Sequence, residues 1–129
     1  MIQDVERILF TEEQLQKRVA ELGAQITADY AGKNPVLASV LRGSYIFMAD
    51  LTRQIKLPLT VDFMAVSSYG SGTTSSGQVE IRKDLSDSIE GRDLLIVEDI
   101  LDSGNTLYYL QRILNARHPA SIKICTLLD

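Results

Sequence analysis

Leu94 to Leu107 reads LLIVEDILDSGNTL, and the order of residue classes in it decides the fold. Leu94–Val97 is an apolar run of the kind a strand buried on both faces shows. It ends in two carboxylates, Glu98 and Asp99. Ile100 and Leu101 follow, then a third carboxylate, Asp102, and the small polar turn Ser103-Gly104-Asn105-Thr106. From Leu107 to Ala116 the apolar spacing is helical. The start of that helix offers unpaired backbone N–H groups and the positive end of its dipole to an anion. Gly104 lets the backbone approach the anion closely.

The acidic residues sharpen this reading. Carboxylates beside a phosphate pocket repel the ligand unless a cation lies between them. Magnesium is the usual mediator, because it prefers oxygen ligands and keeps waters that bridge carboxylate to phosphate. Glu98 and Asp99 can also accept hydrogen bonds from sugar hydroxyls. Acidic pair and hydroxyl turn together describe a site for a phosphorylated ribose. The plainer alternative is a solvated turn that happens to be acidic, but such a turn does not need three carboxylates in residues 98–102.

Val36 to Leu41 reads as a short buried strand and Arg42-Gly43-Ser44 as a turn. Tyr45 to Ile55 follows as a helix with Phe47, Met48, Leu51 and Ile55 on its apolar face. A small-residue turn with one fixed cation can clamp a diphosphate, and Arg42 can bind it through two parallel hydrogen bonds. Taken alone, this turn reads more readily as an ordinary strand–helix connection, and the acidic motif beside it is what favours the clamp. Before it, Thr11-Glu12-Glu13-Gln14 forms a capping box. Leu15, Val19, Leu22 and Ile26 then keep helical spacing up to a C-cap at Gly32.

Leu59 to Val66 reads as a further strand, and residues 67–77 (SSYGSGTTSSG) have the composition of a flexible loop. Val79 to Lys83 continues the hairpin beyond that loop, and Ile122 to Leu128 reads as the last strand. Strands alternating with helices predict an α/β fold of three layers, a mostly parallel twisted sheet flanked by helices, with a flexible hairpin loop. Ligands of such sheets sit beyond the carboxyl ends of the strands, where Arg42 and Glu98 both fall. His118, the sole histidine, is expected to cap the carbonyls of the helix before it. Lys83 and Asp84 read as a solvated strand end.

Composition narrows the class. One domain of 129 residues, 45% hydrophobic, can build a single core. A net charge of −4 gives no sign of nucleic acid or an anionic membrane surface as a partner. The apolar runs are too short to span a bilayer, and no leader with a basic start and apolar middle is visible. One cysteine, Cys125, allows no internal disulfide, which fits a reducing cytoplasm, and its apolar surroundings predict a buried small hydrophobe.

The stretch VEDILDSGNTL, Val97–Leu107, resembles the phosphoribosyl pyrophosphate (PRPP) signature of the type I phosphoribosyltransferases, most of all that of the hypoxanthine (hypoxanthine-guanine) phosphoribosyltransferases. The resemblance covers nearly the whole chain and implies one phosphoribosyltransferase core domain over 1–129. It implies transfer of phosphoribose from PRPP to a 6-oxopurine (hypoxanthine or guanine), with release of pyrophosphate and with Mg2+ as cofactor. Glu98, Asp99, Asp102, Ser103, Gly104, Asn105 and Thr106 would hold the ribose and 5′-phosphate, and Glu98 and Asp99 the metal. Asp102 would be the catalytic carboxylate that handles the purine's proton.

Leu41-Arg42-Gly43-Ser44-Tyr45 is similar to the family's pyrophosphate loop, which puts Arg42 and Gly43 on the leaving group. Many members carry Lys at the Arg42 position, and a cis peptide commonly precedes it. Ser68-Tyr69 is similar to the Ser-Tyr pair of the family's catalytic lid, whose closure excludes water from an electrophilic ribosyl centre. The family usually forms homodimers or homotetramers in the cytoplasm. Its purine-reading lysine, stacking aromatic and second acidic metal ligand would lie beyond Asp129, so the resemblance also implies that the C-terminal purine-binding part is absent from 1–129. Two alternatives share the fold: a non-catalytic PRPP-sensing regulator, and a phosphoribosyltransferase for another base. A dinucleotide-binding domain is excluded by the lack of a G-x-G-x-x-G turn after the first strand.

Overall fold

The structure is a computed structural model of the chain and describes residues 10–68, 79–100 and 105–128. Helix α1 spans Glu12–Asp29 and opens on the capping box: Thr11 accepts from the Gln14 N–H, and the Gln14 side chain accepts from the Thr11 N–H. It stops at Asp29 with Tyr30 as its C-cap, short of the expected Gly32. Gly32 instead takes φ +78° in the turn that follows, a conformation that favours glycine.

Strand β1, Val36–Val40, leads into helix α2, Tyr45–Thr52. That helix is shorter than the expected 45–55, because Gln54 and Ile55 already bond three residues back, to Leu51 and Thr52, ahead of Pro58. Ile55 is still buried. Strands β2 (Thr60–Ser68) and β3 (Val79–Lys83) form the hairpin, β4 spans Asp93–Ile100, α3 spans Asn105–Asn115 and β5 spans Ser121–Leu128.

The five strands form one sheet in the order β3-β2-β1-β4-β5. Pairings β1–β2, β1–β4 and β4–β5 are parallel, and β2–β3 is antiparallel. The mixed, mostly parallel sheet is the one the βα alternation predicted. Burial confirms three layers. Leu37, Leu95, Val97 and Cys125 pack with α1 and α2 through Val19, Leu22, Phe47 and Leu51. On the other face Ala38, Met64, Leu94 and Ile96 pack with α3 through Leu110 and Leu114. Residues of opposite parity in β4 thus feed opposite cores, as strand alternation requires. Cys125 is buried, and burial pushes its thiol pKa up, consistent with a hydrophobe that does not ionise.

Two strands run further than their apolar patterns. β2 continues to Ser68 because Ser67 and Ser68 pair with Glu80 and Val79, so the start of the Gly/Ser/Thr tract is strand. β4 continues to Ile100 because Glu98 and Ile100 pair with Thr126 and Leu128. Glu98 and Asp99 therefore lie inside the strand and not after it. His118 also differs from expectation: its backbone N–H, not its ring, bonds the Asn115 carbonyl, and its φ of 61° turns the chain before Pro119. Asp84 is tied to the far end of α3 by two 2.9 Å hydrogen bonds from Arg117, so it is an anchored strand end.

Candidate functional site

β1 and β4 are parallel neighbours, paired from Val36–Leu94 to Ser39–Val97, so their carboxyl ends emerge side by side. The 41–44 turn grows from one end and the acidic residues from the other. Glu98 joins them: its Oε2 accepts from the Val40 N–H at 3.3 Å, across a sequence separation of 58 residues. The Leu41–Arg42 peptide is cis. Leu41 N–H bonds the Met64 carbonyl of β2 at 2.7 Å, and Tyr45 N–H closes the turn on the Arg42 carbonyl at 3.2 Å. Arg42 and Gly43 are exposed, and a Cβ built on Gly43 would meet no atom within 4 Å, so the space over the turn is open.

The two carboxylates differ in environment. Glu98 shares the parity of Leu94 and Ile96. It is half-buried, and burial, together with the charge of Asp99, pushes its pKa up to about 7 against the lowering effect of the Val40 hydrogen bond. Asp99 shares the parity of Leu95 and Val97 and lines a cleft of about 570 Å³ between α1, α2 and the ends of β4 and β5. Gly43, Phe47, Arg53 and Leu127 line the same cleft. The pair adjacent in sequence thus addresses both faces of the sheet edge.

Asn105 opens α3 and Thr106 is half-buried in its first turn. Asp102, Ser103 and Gly104 lie outside the described residues, as does Tyr69, while Ser68 closes β2. Arg42, Gly43, Glu98 and Asp99 are therefore gathered at one edge. The start of α3 follows β4 directly in the chain.

The donor set is suited to a hard cation. Among the described residues no group of three or more His, Cys, Asp or Glu side chains could hold a metal by itself. Two carboxylate-bearing residues at a strand end match the way magnesium is held, through one or two carboxylates shared with substrate oxygens and water. A cation there would offset the repulsion and desolvation that raise the Glu98 pKa.

The burial of three polar residues was not evident from the motifs. Ser39 and Ser44 touch hydroxyl to hydroxyl beneath the turn, and the isolated Ser39 in the apolar run VLASV was the available signal. Asp62, buried in β2, accepts from the Phe63 and Ser86 N–H groups at 2.8 Å each and pins the segment after β3.

Residues 8–129 match the family described as the phosphoribosyl transferase domain. The chain is 54% identical over 129 residues to a hypoxanthine-guanine phosphoribosyltransferase of Bacillus subtilis, spanning all of this chain and 72% of that protein. It is 51% identical over 129 residues to a bifunctional protein TilS/HprT of Listeria innocua, of whose length it spans only 20%. Among solved structures, a hypoxanthine phosphoribosyltransferase from Staphylococcus aureus superposes with a TM-score of 0.88 at 49% identity, covering 93% of this chain and 65% of that one.

Proposed function

The chain belongs to the phosphoribosyl transferase domain family, and from that premise we propose that residues 1–129 act as one core domain that transfers phosphoribose from PRPP to a 6-oxopurine. The products would be inosine or guanosine monophosphate and pyrophosphate, a purine-salvage reaction. The observation that carries this reading is the Glu98–Val40 hydrogen bond. It joins the acidic strand end to the diphosphate-type turn, so one substrate can touch both. The names of the relatives support the base class.

The roles follow from charge and position. Arg42 and the Gly43 backbone would receive the pyrophosphate, where negative charge grows as the anomeric carbon–oxygen bond stretches. Glu98 and Asp99 would hold the ribose hydroxyls, directly or through the hydration shell of magnesium. Bound Mg2+ would neutralise charge on the diphosphate. Ser103 to Thr106 would hold the 5′-phosphate at the start of α3. Asp102 would face the imidazole ring of the purine and handle its proton. Ser68 and Tyr69 would close over the ribosyl centre and exclude water.

The described residues contain no helix long and apolar enough to cross a membrane, and action on small molecules in the cytoplasm is part of the proposal. Self-association as a dimer or tetramer is a further part, and a single monomeric boundary in sedimentation at micromolar concentration would count against it. The decisive assay supplies the chain with PRPP, Mg2+ and hypoxanthine. Stoichiometric inosine monophosphate and pyrophosphate support the assignment, and absence of both from verified folded protein refutes catalysis by this chain.

A further inference from the structure

Ser39 and Ser44 are each 1% exposed, directly below the turn that carries Arg42 and Gly43. Their hydroxyl oxygens are in contact, and Ser44 Oγ also lies 2.9 Å from the Val40 carbonyl oxygen. Proton counting fixes the direction of this chain. A carbonyl cannot donate, so the single Ser44 proton goes to Val40, and Ser39 must donate to Ser44. The order is Ser39 O–H to Ser44 Oγ, then Ser44 O–H to the Val40 carbonyl.

Ser44 immediately precedes α2. A serine there ordinarily turns its oxygen onto the first free N–H groups of the helix. Ser44 makes no such cap bond and is directed back to the strand. Val40 is consequently held on both sides by groups from outside its own strand, its N–H by Glu98 and its carbonyl by Ser44. The residues between Val40 and Ser44 are Leu41, Arg42 and Gly43, so the exposed part of the turn has both ends fastened.

We propose that Ser39 and Ser44 are positioning residues that hold the Arg42-Gly43 turn ready for the diphosphate of the substrate, an inference that rests on the phosphoribosyl-transfer reading above. A turn ordered before binding loses less conformational entropy when its ligand arrives. The two serines do not contribute equally. Removing the Ser44 hydroxyl strands both the Val40 carbonyl and the Ser39 donor. Removing the Ser39 hydroxyl leaves the Ser44–Val40 bond in place. An unmade buried hydrogen bond is the more damaging event, so Ser44 carries the larger effect.

The test is calorimetric titration of the chain with inorganic pyrophosphate in Mg2+, and separately with ribose 5-phosphate. The proteins are wild type, Arg42→Ala, Ser39→Ala, Ser44→Ala and the double serine variant. Ser44→Ala is expected to weaken pyrophosphate about tenfold, and Ser39→Ala about threefold, the scale of one unmade buried hydrogen bond. The double variant should be no weaker than Ser44→Ala, since both act through one chain of bonds. Ribose 5-phosphate affinity should stay within about twofold throughout, because its phosphate binds at the start of α3.

Equal weakening of both ligands would show general loss of structure and overturn the proposal. So would wild-type pyrophosphate affinity in Ser44→Ala while Arg42→Ala abolishes binding, and that result leaves the transfer reading standing. A wild-type chain that binds neither ligand overturns the transfer reading and the proposal together. Should Ser44→Ala fail to fold, the pyrophosphate-selective loss in Ser39→Ala decides the matter by the same criteria.

Discussion

Gly23 lies on the buried face of α1, where that helix meets the chain leaving α2. A Cβ built there would stand 2.4 Å from Gln54 Cβ, 2.8 Å from the Gln54 carbonyl oxygen and 2.9 Å from its carbonyl carbon. Carbon atoms pack comfortably at about 3.5–4.0 Å, so Gly23→Ala requires a displacement of about 1 Å. Two of the three atoms are backbone, and no rotamer change removes them. The segment is also tethered: Thr27 Oγ1 donates to the Gly23 carbonyl at 2.8 Å and accepts from the Lys56 N–H at 3.0 Å.

Overpacking of this kind costs roughly 1–3 kcal/mol, and contact with a pinned backbone places it at the upper end. Alanine returns about 1 kcal/mol over glycine inside a helix. The expected net loss is about 2 kcal/mol, or roughly 8 °C in Tm for a domain of this size. Urea unfolding followed by far-UV circular dichroism measures it, with the slope against denaturant unchanged. A midpoint equal to or above wild type would show that the α1–α2 junction is free to move, with helix propensity deciding the outcome, and would rule out the clash as the controlling term.

Two further outcomes are expected. Asp102→Asn should lower turnover by roughly 10²–10⁴ while PRPP affinity is largely kept, as removal of a proton-handling group does; steady-state kinetics beside equilibrium PRPP binding checks this, and equal loss of both refutes it. Asp84→Asn should remove the stabilisation from Arg117, whose hydrogen bonds hold the Asp84 carboxyl below its ordinary range. Because the folded-state pKa is the lower one, that stabilisation is full above the unfolded-state pKa and fades as pH falls through the folded value. The pair is solvent-screened, so the difference from wild type should stay under about 1 kcal/mol at neutral pH. Urea titrations across the acid range should show it shrinking, and a difference that grows toward acid contradicts the assignment.

Local rules made much of this protein legible from its sequence. The capping box at Thr11 fixed where α1 begins, because its bonds close within four residues. The apolar runs at Val36 and Leu94 marked the central parallel strands, because burial on both faces leaves no polar alternation. Residue type and order singled out the carboxylates, the hydroxyl turn and Arg42 as candidates for a phosphate and ribose site; of these the structure brings Arg42, Glu98 and Asp99 to one edge, while residues 101–104 lie outside the described residues. Element ends were less legible. β4 reaches Ile100 and β2 reaches Ser68 only because a partner strand supplies hydrogen bonds there, and α2 ends early as the chain turns ahead of Pro58.

Tertiary structure alone decided which groups meet. Strand order makes β1 the neighbour of β4, which brings Val40 to Glu98 across 58 positions. Placement within the sheet sends Glu98 and Asp99 to opposite faces and leaves Glu98 desolvated enough to raise its pKa. Ser39 and Ser44, unremarkable in the chain, become a bonded pair when the turn folds back over its own strand. The physical division is between short-range and long-range terms. Propensity, capping and periodicity act within a few residues and can be read along the chain. Burial, register and hydrogen bonding between strands depend on segments far apart in sequence, and they exist only once the sheet has formed.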